Sequence, residues 1–195
     1  MKRFTQLSTL ALVILFMATS CNRKVTRINP DQQVDLSGRW NDTDSKLVAE
    51  EMIQDVTGRP WHNNFKIENN RKPVVIVGYV KNKSNEHIEA ETFIKDIERE
   101  LINSGFVRVV SNAEFREKLR EERAEQGEFA SPETQAQWGK ELGADFMMFG
   151  VITAVVDSYK KEKVVNYKVN LELSGIESNE KVWLGDKEIK KYIKN

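Results

Sequence analysis

Residues 146–173 read FMMFGVITAVVDSYKKEKVVNYKVNLEL and contain two strand patterns in succession. The run from Phe146 to Ile152 is almost entirely apolar, which is typical of a strand that is buried on both faces. From Val165 to Leu173 apolar and polar residues alternate, which predicts a strand with one buried face. The polar residues 160–163 between them predict a turn. This region therefore indicates an antiparallel hairpin near the end of the chain.

Upstream of this hairpin, strand and helix patterns alternate. A helix is expected from residue 44 or 45 to about Thr57, and Val74–Val80 has the pattern of a central strand. An amphipathic helix and a short strand (106–110) follow. The apolar residues of that helix recur at helical spacing and are Ala90, Phe93, Ile94, Ile97 and Leu101. We expect an α/β (α+β) domain with a mixed sheet flanked by helices and a C-terminal antiparallel hairpin.

The remaining elements are less regular in sequence. A charged helix is expected from Asn112 to near Gly127, and Ser131-Pro132-Glu133 predicts another helix start. Residues 182–184 predict a last strand, and residues 189–193 a final helical turn.

The first twenty residues have the pattern of a secretory signal peptide. A basic start (residues 1–3) leads into an apolar run from Leu7 to Ala18, which is too short to span a bilayer comfortably. Ala18-Thr19-Ser20 precede Cys21, the only cysteine of the chain, and this resembles a lipobox whose cysteine is acylated. The alternatives are an ordinary signal peptide with an incidental cysteine, or an uncleaved membrane anchor.

The chain is thus expected to consist of a lipoprotein signal peptide (1–20), the lipidated Cys21 with a flexible tether (21–34), and one globular domain (35–195). The polar residues 22–34 reach at most roughly 45 Å when fully extended. In enterobacteria an Asp after the lipidated cysteine resembles an inner-membrane retention signal, so Asn22 favours the outer membrane.

Composition and motifs do not indicate catalysis. The 30 Lys and Arg residues balance the 30 Asp and Glu residues, unlike the basic footprint of a nucleic-acid-binding protein. His62 and His87 have no Cys or carboxylate partner at metal-ligand spacing, and phosphate-binding glycine motifs are absent. Ser158 and Lys161 fit S-x-x-K, but the companion motifs of penicillin-recognising enzymes are missing. We expect no enzyme activity, cofactor, metal or small-molecule substrate.

Two aromatic residues in a predicted loop are candidates for partner binding. Trp61 and Phe65 flank His62-Asn63-Asn64 in a segment expected to lack regular structure. They could form an exposed recognition patch, or they could cover the core as a lid, since Trp is frequent in both settings.

Several segments resemble a known family. Leu36–Ser45, Pro73–Gly78, Phe93–Gly105 and Leu142–Gly150 are similar, in this order, to segments of the LpoB-type penicillin-binding-protein activators. The resemblance implies a lipoprotein that binds a class A penicillin-binding protein and stimulates peptidoglycan synthesis, with a fold similar to the TolB N-terminal domain.

The tether departs from the pattern of well-known members, which have a long linker. Either the partner extends further, the anchor sits in the inner membrane, or the partner differs. The same broad fold also resembles the CsgG family, whose lipoproteins assemble in the outer membrane. That alternative implies a structural role.

Overall fold

The computed structural model describes residues 24–30, 32–129 and 141–194. The chain divides into two compact units, residues 1–32 and residues 33–195. In the described part of the first unit, a turn is closed by a hydrogen bond from the Gln32 amide to the Asn29 carbonyl (3.0 Å). Cys21 and the expected signal peptide lie outside the described residues.

The second unit contains four helices and five strands within its described residues. In chain order they are α1 (Asp42–Gly58), α2 (Trp61–Asn69), β1 (Val74–Asn82), α3 (Ala90–Ser104), β2 (Arg108–Val110), α4 (Ala113–Phe129), β3 (Phe146–Tyr159), β4 (Glu162–Gly175) and β5 (Lys181–Lys194). Most of the helix predicted from Ser131 falls on residues 130–140, outside the described residues.

The strands form one mixed sheet in the order β2-β1-β3-β4-β5. The strands β2, β1 and β3 are parallel, and β3, β4 and β5 form an antiparallel meander. The predicted hairpin is the β3–β4 pair, which is in continuous register from Phe146 opposite Gly175 to Tyr159 opposite Glu162. The predicted fold class is confirmed.

Helices α1 and α3 pack against each other and against one face of the sheet. A capping box at Asn41 and Asp44 begins α1, and Gly105 in the left-handed conformation ends α3. On the sheet, alternate residues of β4 from Val165 to Leu173 are fully buried, as their alternation predicts. The core therefore lies between these two helices and the central strands.

A short segment before α1, residues 35–41, crosses one end of the sheet; we call it the strap. Its Trp40 ring packs edge-on against Tyr167 (5.6 Å) and Phe93 (6.3 Å). The Lys191 ammonium of β5 donates to the Asp35 carboxylate (2.6 Å) and to the Arg39 carbonyl of the strap (3.0 Å). These contacts join the start of the domain to the end of its last strand.

The prediction of a helical turn over residues 189–193 is wrong, because this segment is the end of β5. Ile189 and Ile193 are four residues apart, a spacing that fits one face of a helix and also one face of a strand. The full-length register of β5 with β4 selects the strand.

No helix in the part of the chain that the structure describes is long and apolar enough to cross a membrane.

Candidate partner-binding groove

A groove of about 760 Å³ opens between α2 and the turn that joins β4 to β5. We call it the α2 groove. It lies at the end of the sheet where β3 begins and β4 ends. The side chains that define it are Trp61, Asn64, Phe65, Glu68, Arg71, Asp145 and Lys181.

The segment expected to be an irregular loop around Trp61 is helix α2. Its first two side chains bind the end of α1: the Trp61 indole N–H donates to the Val56 carbonyl (2.7 Å), and the His62 Nε2 contacts the Thr57 carbonyl (2.8 Å). These side chains bind carbonyls in the last turn of α1, where a helix offers no amide donors of its own four residues further on. The short helix is thereby fixed by tertiary contacts rather than by its own caps.

Trp61 is only 6% exposed and packs edge-on against Phe146 with 5.1 Å between ring centroids. An exposed recognition patch is therefore wrong for this residue, and the other alternative, a lid over the core, describes its position. Trp61 forms the floor of the α2 groove. Its truncation to Ala would remove a core aromatic and destabilise the fold by about 3–5 kcal/mol, so such a variant does not test binding alone.

Phe65 lies one helical turn further along and is half-buried. Its ring packs against Phe146 at 5.4 Å, and the Arg71 guanidinium lies over it at 5.0 Å. The ring thus presents part of its surface to the groove while its orientation is held by two neighbours.

An ion pair closes one side of the groove. The Arg71 guanidinium donates two hydrogen bonds to the Asp145 carboxylate (2.7 and 2.6 Å), which also accepts from the Val74 amide (2.8 Å). Burial opposes ionisation of Asp145, but these hydrogen bonds outweigh it and keep the pKa of Asp145 below its ordinary value. Asp145 therefore fixes the Arg71 guanidinium beside Phe65.

Arg71 and Asp145 did not emerge as candidates from sequence reasoning, although their positions carry a signal. Arg71 stands shortly before β1 and Asp145 stands directly before β3. Because β1 and β3 are parallel neighbours, residues just before each strand meet at the same edge of the sheet.

The rim of the groove is charged and exposed. Glu68 lies on α2, and Lys181 forms an ion pair with Glu172 (2.5 Å). An aromatic floor within a polar rim is the composition of protein–protein interfaces. Within the described residues, no group of three or more His, Cys, Asp or Glu side chains could hold a metal ion. The two histidines lie elsewhere, His62 against the Phe106 ring (4.7 Å) and His87 beside Glu89.

Comparison with known proteins gives a family match over most of the domain. The profile described as the peptidoglycan-synthase activator LpoB matches residues 44–189, which include most of α1, every element from α2 to β4, and most of β5. No curated protein sequence matches the chain.

Similar solved structures include two LpoB C-terminal domains. The domain from Escherichia coli is 16% identical with a TM-score of 0.46, and the domain from Salmonella enterica is 13% identical with a TM-score of 0.44. Each match covers 76% of this chain and 99% of the other. The lipoprotein GNA1162 from Neisseria meningitidis is 16% identical, with a TM-score of 0.40 and coverages of 62% and 83%. Because the profile spans well over half of its residues, this chain belongs to the LpoB family of peptidoglycan-synthase activators.

Proposed function

We propose that this chain is a lipid-anchored, non-enzymatic regulator that binds a bifunctional class A penicillin-binding protein through the α2 groove and activates it. The observation that carries the proposal is the family match over residues 44–189, which contain every element that builds the groove. Members of the family are described as activators of peptidoglycan synthases, and a regulator needs a binding surface rather than a reaction centre.

The groove supports binding because its aromatic and cationic groups are held in place before any partner arrives. Phe65 is packed against Phe146, and Arg71 is fixed by two hydrogen bonds to Asp145. Aromatic and Arg side chains supply a large share of binding energy in protein interfaces. Their fixed orientation reduces the entropy lost on association.

Activation requires that the chain bind the active form of the synthase more tightly than the inactive form. A tenfold rise in the population of the active form corresponds to a difference of about 1.4 kcal/mol in binding free energy. One well-packed aromatic contact made only in the active form would supply a difference of this size.

The proposed anchor is a lipid on Cys21 in the outer membrane. Residues 22–34 span at most roughly 45 Å, so the synthase must bring its docking domain within this distance of the membrane that holds the anchor. A soluble domain of the synthase that extends across the periplasm would meet this requirement.

The test is glycan polymerisation by a purified class A penicillin-binding protein, measured with and without the acylated chain in detergent. We expect faster polymerisation with the chain, and at least tenfold weaker binding for the Phe65→Ala variant. Phe115→Ala is the matched control, because Phe115 is also a partly exposed aromatic that lies under a cation, Lys95, at 4.7 Å.

Equal affinity of the two variants would remove the groove from the proposal. No effect of the unaltered chain on any class A enzyme would contradict the proposed function itself. Assembly of the chain into a closed ring, detected by sedimentation as a mass of many copies, would instead favour the structural role suggested by the CsgG resemblance.

A further inference from the structure

The end of the antiparallel meander opposite the α2 groove extends beyond the helices. Residues 155–162 are all exposed, although residues 155–159 and 162 remain paired in the regular β3–β4 hairpin. Together with the last residues of β5 they form a surface that we call the meander tip, residues 155–163 and 190–194. A strand segment with no buried face gains no stability from packing against the core. Its exposed side chains therefore indicate a binding role.

Three large apolar side chains stand exposed on the same face of the meander tip. Val155 is 70% exposed, Tyr159 72% and Tyr192 61%. Tyr192 is paired with Val164, which is two residues along β4 from Glu162, the partner of Tyr159. Tyr combines an apolar ring with a polar hydroxyl and is enriched where one end of a side chain is wet and the other is not.

Lysines surround these aromatic rings. Lys160 lies over the Tyr159 ring at 5.1 Å, and exposed Lys161, Lys190 and Lys194 are close by in the turn and on β5. The acidic residues of the tip are Asp157 and Glu162, and Glu162 already contacts Lys194 and the Tyr192 hydroxyl. The tip therefore carries excess positive charge in a chain whose formal net charge is zero.

The strap brings the tether to this same end of the domain. Asp35 is bound by Lys191 at 2.6 Å, and Gly38 is packed directly against Ile193, both within the last residues of β5. Only thirteen residues separate Asp35 from Cys21. A lipid on Cys21 would therefore be joined to the domain at the end that carries the meander tip.

We propose that the meander tip lies on the membrane surface and binds anionic phospholipid headgroups beside the chain's own lipid anchor. The lysines supply charge complementarity, and Tyr159, Tyr192 and Val155 enter the interfacial layer. This inference rests on the lipid anchoring of the proposed function for its high local concentration, but the contact is made by residues of the tip.

Such a contact would orient the α2 groove. The strands β4 and β5 each have 14 residues and run from the tip to the groove, a distance of roughly 40–45 Å. With its tip on the membrane, the domain would hold Phe65 and Arg71 at the far end of these strands, facing away from the lipid and toward a partner in the periplasm.

The test uses a spin label on the acylated full-length chain in vesicles. Acylated Cys21 has no free thiol, so Ser158→Cys at the tip and Glu177→Cys at the groove each provide a single labelling site. In vesicles of phosphatidylcholine with 30% phosphatidylglycerol, we expect the label at 158 to lose at least half of its access to a water-soluble relaxation agent. The label at 177 should be unaffected, and so should both labels in pure phosphatidylcholine.

One double variant and a change of salt concentration report on charge. Lys161→Glu with Lys190→Glu should abolish the protection at 158, and so should 0.5 M salt, because exposed charges are screened at that ionic strength. Equal access at 158 in anionic and neutral vesicles would overturn the inference. Protection of 158 by soluble anionic glycan fragments, without protection by vesicles, would also overturn it and would assign the tip to the cell-wall polymer.

Flotation of the chain with the vesicles separates this inference from the proposed function. A chain that floats but shows no protection at 158 contradicts only the tip contact. A chain that does not float contradicts the lipid anchor. The label at 158 is then measured on the unanchored chain mixed with excess anionic vesicles at low ionic strength, where the lipid must still protect it.

Discussion

At the scale of single residues, the domain contains close contacts that only a glycine can accommodate. Trp183 on β5 folds over Gly185, where any Cβ would overlap its ring, and its indole N–H donates to the Asp55 carboxylate of α1 (2.7 Å). This hydrogen bond is the largest cause of the lowered pKa of Asp55; burial opposes it and Arg59 adds to it.

Replacing Trp183 by Phe should therefore raise the pKa of Asp55. A carboxyl group with a lowered folded-state pKa contributes stability that is present above its unfolded-state pKa and is lost as the pH falls through the folded-state value. The unaltered chain should lose this contribution below about pH 4, and the variant should show a smaller pH dependence there. NMR titration of the Asp55 carboxyl checks the shift. An unchanged pKa would mean that Arg59 alone sets it.

A second prediction at this scale concerns Gly38. Its φ angle of +66° favours glycine, and a Cβ there would overlap the Ile193 side chain. Gly38→Ala should reduce the free energy of unfolding by about 1–3 kcal/mol. Gly58→Ala is the control, because nothing lies within 4 Å of a Cβ at that position. Urea unfolding of both variants gives the comparison, and equal stabilities would show that the strap yields to the added methyl group.

At the scale of elements, strands and helices with strong hydrophobic periodicity were predictable from the sequence, and helix α2 was not. The alternation in β4 and the apolar spacing in α3 identify these elements because each has one buried face. The short helix α2 has no side-chain cap, and its position depends on contacts of Trp61 and His62 with the end of α1. Such contacts join separate elements, and local patterns do not report them.

The contact between the strap region and β5 depends on one buried lysine, Lys191. Lys191 is paired with Asp44 (2.6 Å), and their side chains are only 10% and 7% exposed. Burial alone would lower the pKa of Lys191, but Asp35 and Asp44 outweigh it and raise that pKa. Lys191→Met should cost about 3 kcal/mol, because it leaves the Asp44 carboxylate buried without its cation.

Lys190→Met is the matched control for this variant, since Lys190 is the neighbouring residue on the exposed face of β5. We expect its effect on stability to stay within about 0.5 kcal/mol. Thermal unfolding of the two variants at neutral pH measures the difference. Similar melting temperatures would contradict a structural role for the Lys191–Asp44 pair.

At the scale of the whole molecule, the domain has a groove at one end of its long strands and a basic, aromatic tip at the other. Sequence reasoning singled out Trp61 and Phe65 as candidates for partner binding, but it placed them in a loop rather than on helix α2. It did not find the tip, because the residues of the tip lie on two segments about thirty positions apart that only the β4–β5 register brings together. Pairing between strands is a long-range property that no local window contains.

The prediction at this scale concerns anchoring. Cys21→Ser should abolish incorporation of labelled palmitate and move the chain from the membrane pellet to the soluble fraction at high salt. At low salt a fraction should remain on anionic membranes through the meander tip, because that contact is electrostatic. The measurement is fractionation at two ionic strengths. Retention in the pellet at both would indicate an anchor other than the lipid.

The contact between the strap and the end of β5 also bears on how the gene for this domain can be rearranged. Because Asp35 touches Lys191, the first and last residues of the fold are neighbours, and a short glycine-serine linker could join them. New termini could then be opened at the Lys160–Lys161 turn or at the β4–β5 turn without breaking a strand. The domain is thus a natural candidate for circular permutation, with new termini at either end of its long strands.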